Sequence, residues 1–502
     1  MNHWIIAPIA LPFATALLTM LPMGLTAQRV ISLGSALLLA VISIGLIGLA
    51  GGEADVYALG AWPAPYGIVL VLDRLSAMMV ALTAFCGLAA LMHAVSGWDA
   101  RGRDFHPLFQ FQLAGLCGAF LTGDLFNLFV FFELMLIASY CLLQHGAGAS
   151  RRAAGIQYVV LNLTGSTLFL VAVALIYGAL GTLNLADLAV KVSAIEPHQV
   201  PAVRAAALIL MVVFALKAAI LPLYFWLPST YGAAAAPVAA IFVVLSKVGV
   251  YAILRLHGMV FGADAGALAH AADAWLLPAA LATVAIGGIG ALGASTLREL
   301  SGYLAIGSSG LVLVSASLGT PEGMQAGQFY LLHSVISVSA LFLLADAISA
   351  FRGDDGDRIV RARAIEKPMF YGILYFLIAI AAAGLPPLAG FMGKAMVLSA
   401  AVHAPGTGWV FAVVLIASLL NLLALARAGI QIFWHCAGEA AIPSRESWRK
   451  GVSAAAFLTA VTVALAVAAG PVARYAGYSA AQQASAYEYG GELLRKGMQV
   501  NR

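Results

Sequence analysis

Residues 235–257 read AAPVAAIFVVLSKVGVYAILRLH. A helix that crosses the hydrocarbon core of a bilayer needs about 20 mostly apolar residues, and this run has that length with Lys247 near its middle. Only a helix fits an apolar run this long, so the stretch is predicted to span a membrane. An ammonium at the centre of such a helix costs about 2.5–3.5 kcal/mol on insertion scales, so Lys247 requires compensation from its surroundings.

Similar runs continue almost end to end, separated by short polar breaks. Of 502 residues, 62% are hydrophobic and 10% charged, against about 25% charged in an ordinary soluble domain. The expected fold is an all-α polytopic membrane protein. Fourteen spans are predicted near 3–23, 30–50, 73–96, 105–123, 125–145, 154–180, 202–222, 235–257, 274–293, 299–318, 325–350, 369–403, 408–436 and 451–475. The net charge of +4 is scattered, which argues against a nucleic-acid partner and against a basic tail for anionic lipid. Cys86, Cys117, Cys141 and Cys436 lack the spacing of a metal or redox site and read as ordinary helix residues. The first span begins at Trp4 without a basic leader or a small-residue cleavage site, and is predicted to be retained.

Connections after odd-numbered spans carry fourteen Lys and Arg residues, among them Arg29, Arg101, Arg151, Arg298, Arg361, Arg445, Arg449 and Lys450; those after even-numbered spans carry Arg74, Lys191, Arg204 and Arg255. The positive-inside rule therefore places the odd-numbered connections in the cytoplasm and both termini outside. A weak repeat pairs span six with span eleven, where Gly155-Ile156-Gln157-Tyr158 matches Gly327-Gln328-Phe329-Tyr330, and span eight with span thirteen, where Lys247-Val248-Gly249 matches Arg427-Ala428-Gly429. Partners lie five spans apart, and an odd offset inverts the second unit across the membrane, as in many secondary transporters.

Such transporters also interrupt a helix at matching places in the two units. Pro222, with Pro228 and Pro237, interrupts the region of span seven; Pro386 and Pro387, with Gly390 and Gly393, interrupt span twelve. Proline removes a backbone donor and frees carbonyls that must face protein or water rather than lipid. A simple kink is the plainer reading of either break alone.

Three of the seven lysines, Lys217, Lys247 and Lys394, fall inside apolar spans, and Glu133 joins them in span five. Four such charges would cost roughly 10–14 kcal/mol if nothing compensated them. Pairing, hydrated cavities or a lysine that spends time neutral can each supply compensation, and the last is what proton transfer uses. The alternatives are a structural ion pair for Glu133 and snorkelling for the lysines, weakest for Lys217 and Lys247 at mid-span. His333 in span eleven is the remaining titratable group in an apolar setting, either a satisfied core histidine or a relay. The G-x-G-x-x-G at 288–293 lies inside an apolar span with no strand before it, so it reads as close helix packing rather than a dinucleotide fingerprint. Neither a cofactor site nor a metal site is predicted.

Gly123-Asp124-Leu125-Phe126-Asn127-Leu128-Phe129-Val130-Phe131-Phe132-Glu133 closely resembles the span-five signature of Mrp-type antiporter subunits. Leu216-Lys217-Ala218-Ala219-Ile220-Leu221-Pro222 and Leu245-Ser246-Lys247-Val248-Gly249 are similar to helices seven and eight of the wider family that includes the antiporter-like subunits of respiratory complex I, and Gly384-Leu385-Pro386-Pro387 through Lys394 resembles its broken twelfth helix. The resemblance implies fourteen helices with two inverted five-helix repeats and two broken helices. It divides the chain into 1–104 (helices one to three), 105–257 (first repeat), 274–436 (second repeat) and 451–502 (last helix and short tail). It also implies roles: Glu133 and Lys217 as a coupled ion pair, Lys247 as central proton carrier, His333 as relay and Lys394 as terminal carrier.

The expected function is a proton-translocating, non-enzymatic subunit of the D type in an Mrp antiporter, exchanging Na+ or K+ for H+ beside partner antiporter subunits in a bacterial inner membrane. The alternative is a proton-pumping subunit of a redox enzyme such as complex I or a membrane-bound hydrogenase. Lys394 argues against the M-type subunit of complex I, which places a glutamate there, and the 27 residues after position 475 are too few for the lateral helix of its L-type subunit.

Overall fold

The computed structural model describes residues 2–269, 271–404, 406–436, 445–484 and 486–499, with the backbone alone for 445–451, 484 and 486. The side chains of Arg445, Arg449 and Lys450, and the last three residues of the predicted tail, therefore lie outside the described part. The helices are α1 (Ala7–Met20), α2 (Leu25–Leu49), α3 (Arg74–Ala94), α4 (Phe105–Leu121), α5 (Leu125–Gln144), α6 (Ala149–Leu180), α7 (Leu185–Ser193), α8 (Val200–Ala218), α9 (Trp226–Ala233) and α10 (Ala236–Met259). They continue as α11 (Asp273–Gly293), α12 (Leu297–Ala316), α13 (Pro321–Arg352), α14 (Pro368–Ala383), α15 (Ala389–Ala401), α16 (Thr407–Gly429), α17 (Arg445–Val467), α18 (Ala469–Ala484) and α19 (Ala486–Met498). Strands β1 (Asp55–Ala58) and β2 (Val69–Leu72) pair antiparallel, Asp55 opposite Leu72.

Among the described residues, ten helices are long and apolar enough to cross a bilayer, or eleven if the α17 and α18 pair, bent by 78°, is one span. The predicted last span at 451–475 is thus not straight. Pro471 explains the bend, because it cannot donate to the Val467 carbonyl and its ring clashes there, and α17 ends at Val467. The predicted span at 369–403 divides into α14 and α15 around Pro386 and Pro387. The hairpin, α7 and α19 escape a reading by apolar runs because they are short, and α19 alternates Glu488, Glu492, Arg495 and Lys496 with Tyr489 and Leu493.

The apolar pattern sorts the helices by depth. The spanning part of α10 is wholly buried and that of α13 nearly so, whereas α2, α6, α8 and α16 turn most of theirs outward. The outward faces carry large apolar side chains such as Leu37, Val41 and Ile44 on α2 and Leu415, Ile416 and Leu419 on α16, the surface expected against lipid rather than water. Without a hydrophobic drive between helices in lipid, close contact depends on small residues. A Cβ on Gly287 would lie 2.5 Å from the Gly307 Cα, one on Gly288 3.1 Å from the Ala417 Cα, and one on Gly290 2.1 Å from the Tyr303 ring. The glycine motif at 288–293 is therefore a packing surface of α11 against α12 and α16.

Ion pairs cluster at helix ends. Asp73, the N-cap of α3, accepts from Ser76 N (2.8 Å), from both terminal nitrogens of Arg255 and from Tyr489 Oη (2.6 Å) of α19. Burial opposes ionisation of Asp73, but Arg255 and Tyr489 outweigh it and hold its pKa at about 2. Arg29 and His106 hold Asp99 (2.6 and 3.2 Å), and His93 and the Trp98 indole hold Asp346 (2.9 and 2.8 Å).

Removing Arg255 strands a buried carboxylate, which costs about 3–5 kcal/mol. Arg255→Leu should therefore lower the melting temperature of the detergent-solubilised protein, and Asp73→Asn added to it, which keeps the cap and removes the charge, should restore most of the loss. A single variant as stable as the parent would show that this pair holds nothing.

Candidate functional site

The two breaks share one backbone plan. α8 ends at Ala218, Ala219 turns left-handed (φ 56°) and Pro222 follows three residues later; α14 ends at Ala383, Gly384 turns left-handed (φ 80°) and Pro387 follows three residues later. Carbonyls released at each break find donors inside the protein, as lipid requires. The indole of Trp226 donates to Leu216 O at 3.0 Å, and Lys394 Nζ donates to Ala383 O at 2.7 Å. Glycine is favoured at 384 by its left-handed φ, and a Cβ there would also push on the end of the Lys394 side chain at 2.7–2.9 Å.

Lys217 sits in the last turn of α8, buried, donating to Asn162 Oδ1 at 3.2 Å with its nitrogen 5.7 Å from the Tyr158 ring centre. Glu133 lies halfway along α5, only half-buried, and accepts a hydrogen bond from the Ser166 hydroxyl. Asn162 and Ser166 are one turn apart on α6. The coupled pair expected of Glu133 and Lys217 makes no salt bridge among the described residues; Lys217 bonds Asn162 and Glu133 bonds Ser166, an amide and a hydroxyl of α6. The physical reason is that each charge already has a polar partner on α6 that cancels part of its desolvation cost.

Lys247 is the most enclosed of the four, with 0% of its surface exposed. An ammonium carries three donors, and all three are used on α12: Ala305 O at 3.0 Å, Ser308 Oγ at 2.9 Å and Ser309 Oγ at 2.6 Å. Gly249 brings α10 against α8, since a Cβ there would stand 2.6 Å from both Ala218 N and Phe214 O. The Ser246-Lys247-Val248-Gly249 segment thus combines a charge aimed at one helix with a contact surface for another.

His333 is buried on α13, with Ser337 Oγ 3.3 Å from Nδ1 and the other ring nitrogen turned towards the Ala381 carbonyl at the second break. His333 and Lys394 line one small cavity with Ser308, Ser334, Ser337 and Asn421. Its volume is about 20 Å³ counted by positions open to a water's centre, and one water needs about 10–15 Å³ on that measure. Ser308 therefore touches Lys247 on one side and opens on the cavity of Lys394 on the other. Lys217 and Glu133 are not part of this cavity; a second, smaller one beside Lys217 holds Asn162 and Ser166. No group of three or more His, Cys, Asp or Glu that could hold a metal ion occurs among the described residues.

The neutral partners do not stand out in the sequence. Asn162 and Ser166 stand in a run that also holds Thr164 and Thr167, and Ser308 and Ser309 are adjacent, so only the clustering of hydroxyls and an amide inside long apolar spans could have found them.

Helices that span a bilayer, two of them broken at mid-course, with lysines caged by hydroxyls and carbonyls, define a polytopic integral membrane protein built around buried titratable groups. The family described as NADH:quinone oxidoreductase/Mrp antiporter, TM matches residues 122–421. The chain is 42% identical to the D subunit of a probable K(+)/H(+) antiporter of Rhizobium meliloti, over 95% of this chain and 94% of that one. It is 37% identical to the D subunit of the Na(+)/H(+) antiporter of Bacillus subtilis, over 86% and 87%. A chain in the structure of the Mrp complex from Dietzia sp. superposes with a TM-score of 0.89 at 27% identity, over 98% of this chain and all of that one. A chain of respiratory complex I from Thermus thermophilus, 24% identical, shares the fold with a TM-score of 0.81 over 96% and 99%. The protein belongs to the NADH:quinone oxidoreductase/Mrp antiporter membrane-subunit family.

Because the Gly249 contacts are backbone atoms, Gly249→Ala should lower thermal stability by roughly 1–3 kcal/mol, despite the helix propensity alanine adds. Gly45→Ala on α2, where nothing lies within 4 Å, should be neutral or stabilising. Equal melting temperatures for the two variants would contradict the close approach of α10 to α8.

Proposed function

We propose that this chain is the proton-translocating membrane subunit of a multisubunit monovalent cation/proton antiporter, which exports Na+ or K+ in exchange for H+. Its likeness over nearly its whole length to proteins named as D subunits of K(+)/H(+) and Na(+)/H(+) antiporters carries this reading. The same names favour a transporter component over the redox-enzyme alternative, for which the likeness to complex I offers the fold alone.

In this reading Lys247 is the central carrier. Its ammonium is held by dipoles only, with no carboxylate in ion-pair reach among the described residues, so a proton can leave without a salt bridge being broken. Ser308 passes it to the cavity, where His333 relays and Lys394 receives it. Glu133 and Lys217 respond to one another across Asn162 and Ser166 rather than by contact, so that charge moving on one shifts the field at the other. A mid-helix carboxylate half open at the protein's edge would be costly against lipid. The exposure of Glu133 therefore supports a partner subunit on the α5 and α6 face, in a hetero-oligomeric complex.

The finer architecture belongs to the same proposal. Fourteen crossings result when α1, α4, the broken α14 and α15 and the bent α17 and α18 are added to the ten clear spans. The units are 1–104, 105–257, 274–436 and 451–502. The matched breaks, and Tyr158 beside Lys217 against Tyr330 beside the Lys394 cavity, support inverted repeats at 105–257 and 274–436. Both termini lie outside a bacterial inner membrane.

Glu133→Ala and Lys247→Ala should each abolish cation-dependent proton exchange in vesicles carrying the whole complex while leaving assembly intact, with Na+ and K+ assayed separately. Lys394→Glu should slow exchange severely. Normal exchange in the Lys247 variant would sink the mechanism.

A further inference from the structure

α16 is apolar from Trp409 to Leu425 except for Ser418 and Asn421. The two are three residues apart, hence on one face, and both line the cavity shared by His333 and Lys394. Ser418 is satisfied, since its hydroxyl donates to Val414 O at 2.7 Å. Asn421 Oδ1 is buried and has no hydrogen-bond partner among the described residues. An amide oxygen enclosed in a membrane protein without a donor is costly and calls for one.

A charged donor lines the same cavity. Lys394 has three N–H groups and gives one to Ala383 O; Lys247, by contrast, has all three placed on α12. The cavity has room for water and is edged by hydroxyls. We propose that Asn421 is a positioning residue for the proton step, holding the charged end of Lys394 across the cavity's water and so favouring its protonated form. This rests on the reading of Lys394 as a proton carrier. The titratable groups facing Asn421 are Lys394 on α15 and His333 and Tyr330 on α13; α11, α12 and α14 contribute none among the described lining residues.

The test compares Asn421→Leu, Asn421→Asp and Asn421→Ser in the whole complex, reconstituted in liposomes, with cation-dependent proton exchange followed against pH and assembly checked on native gels. Loss of a hydrogen bond to a charged group should slow exchange at least about tenfold in the Leu variant. Its alkaline limb should move to lower pH, because the protonated lysine loses support. The Asp variant adds a negative charge and should move that limb to higher pH. The Ser variant keeps a hydroxyl and leaves room for another water, so it should retain most of the rate. A purely structural role would reduce the rate without opposite pH displacements, and that outcome overturns the proposal, as does a Leu variant with the parent's rate and profile. Lys394→Ala in parallel separates the failures. If it exchanges normally, the carrier reading falls and this inference with it; if it is inactive while Asn421→Leu is normal, only the role of Asn421 is lost.

Discussion

In the hydrocarbon region the backbone has no water to bond with, so every interruption of a helix must find its partners in protein. The two breaks meet this constraint with different donors. At the first, Leu216 O takes the neutral indole of Trp226; at the second, Ala383 O takes the ammonium of Lys394. The first is therefore indifferent to protons and the second is not. In the proposed reading, a Lys394 that gives up its proton would weaken its bond to the carbonyl that closes α14.

The charges divide by how they are compensated. At the helix ends the fold uses ion pairs, Asp73 with Arg255, Asp99 with Arg29, Asp346 with Arg298, which tie α3 to α10 and α12 to α13, while the Tyr489 hydroxyl adds α19 to the first. Inside the bilayer it uses dipoles: two serines and a carbonyl for Lys247, an amide and a ring face for Lys217, a carbonyl and a cavity large enough for a water for Lys394, a hydroxyl for Glu133. A buried ion pair fixes its charges, because removing either one strands the other. A dipole cage lowers the cost of a charge without requiring it to stay, which is the property the proposed proton pathway needs of its mid-membrane groups.

Much of this was legible in the sequence. Apolar runs located the long helices, and Pro222 and Pro386-Pro387 located the breaks, because both signals are carried by single residues acting on their own backbone. Lys217, Lys247, His333 and Lys394 stood out because a charge or imidazole in an apolar span needs a reason. What lies between them did not stand out. Ser308, Ser309 and Asn162 matter through a neighbour fifty or more positions away, and serine or asparagine in a membrane helix is common enough to carry little signal alone. The separation of Glu133 from Lys217 had the same cause: opposite charges suggest contact, and only the placement of α6 shows that an amide and a hydroxyl stand between. The bend at Pro471 was not read, because the apolar run continues through it and the span at 451–475 looks unbroken.

α10 is gripped unequally from its two sides. Towards α8 the contact is backbone on backbone at Gly249, which leaves no side chain to adjust. Towards α12 it is a flexible lysine on two hydroxyls that rotate. A relative shift of α10 and α12 is therefore absorbed in the Lys247 cage before it is felt at Gly249. In the proposed division of the chain these two helices belong to different units, 105–257 and 274–436, so the cage stands where the units meet. Ser308 also faces the cavity of His333 and Lys394. Its hydroxyl can present its proton to only one side at a time, and in this structure it donates to Ala305 O at 2.8 Å while accepting from Lys247. To donate into the cavity it must leave Ala305, and in the proposed pathway that rotation would link proton movement on the cavity side to the hold of α12 on Lys247.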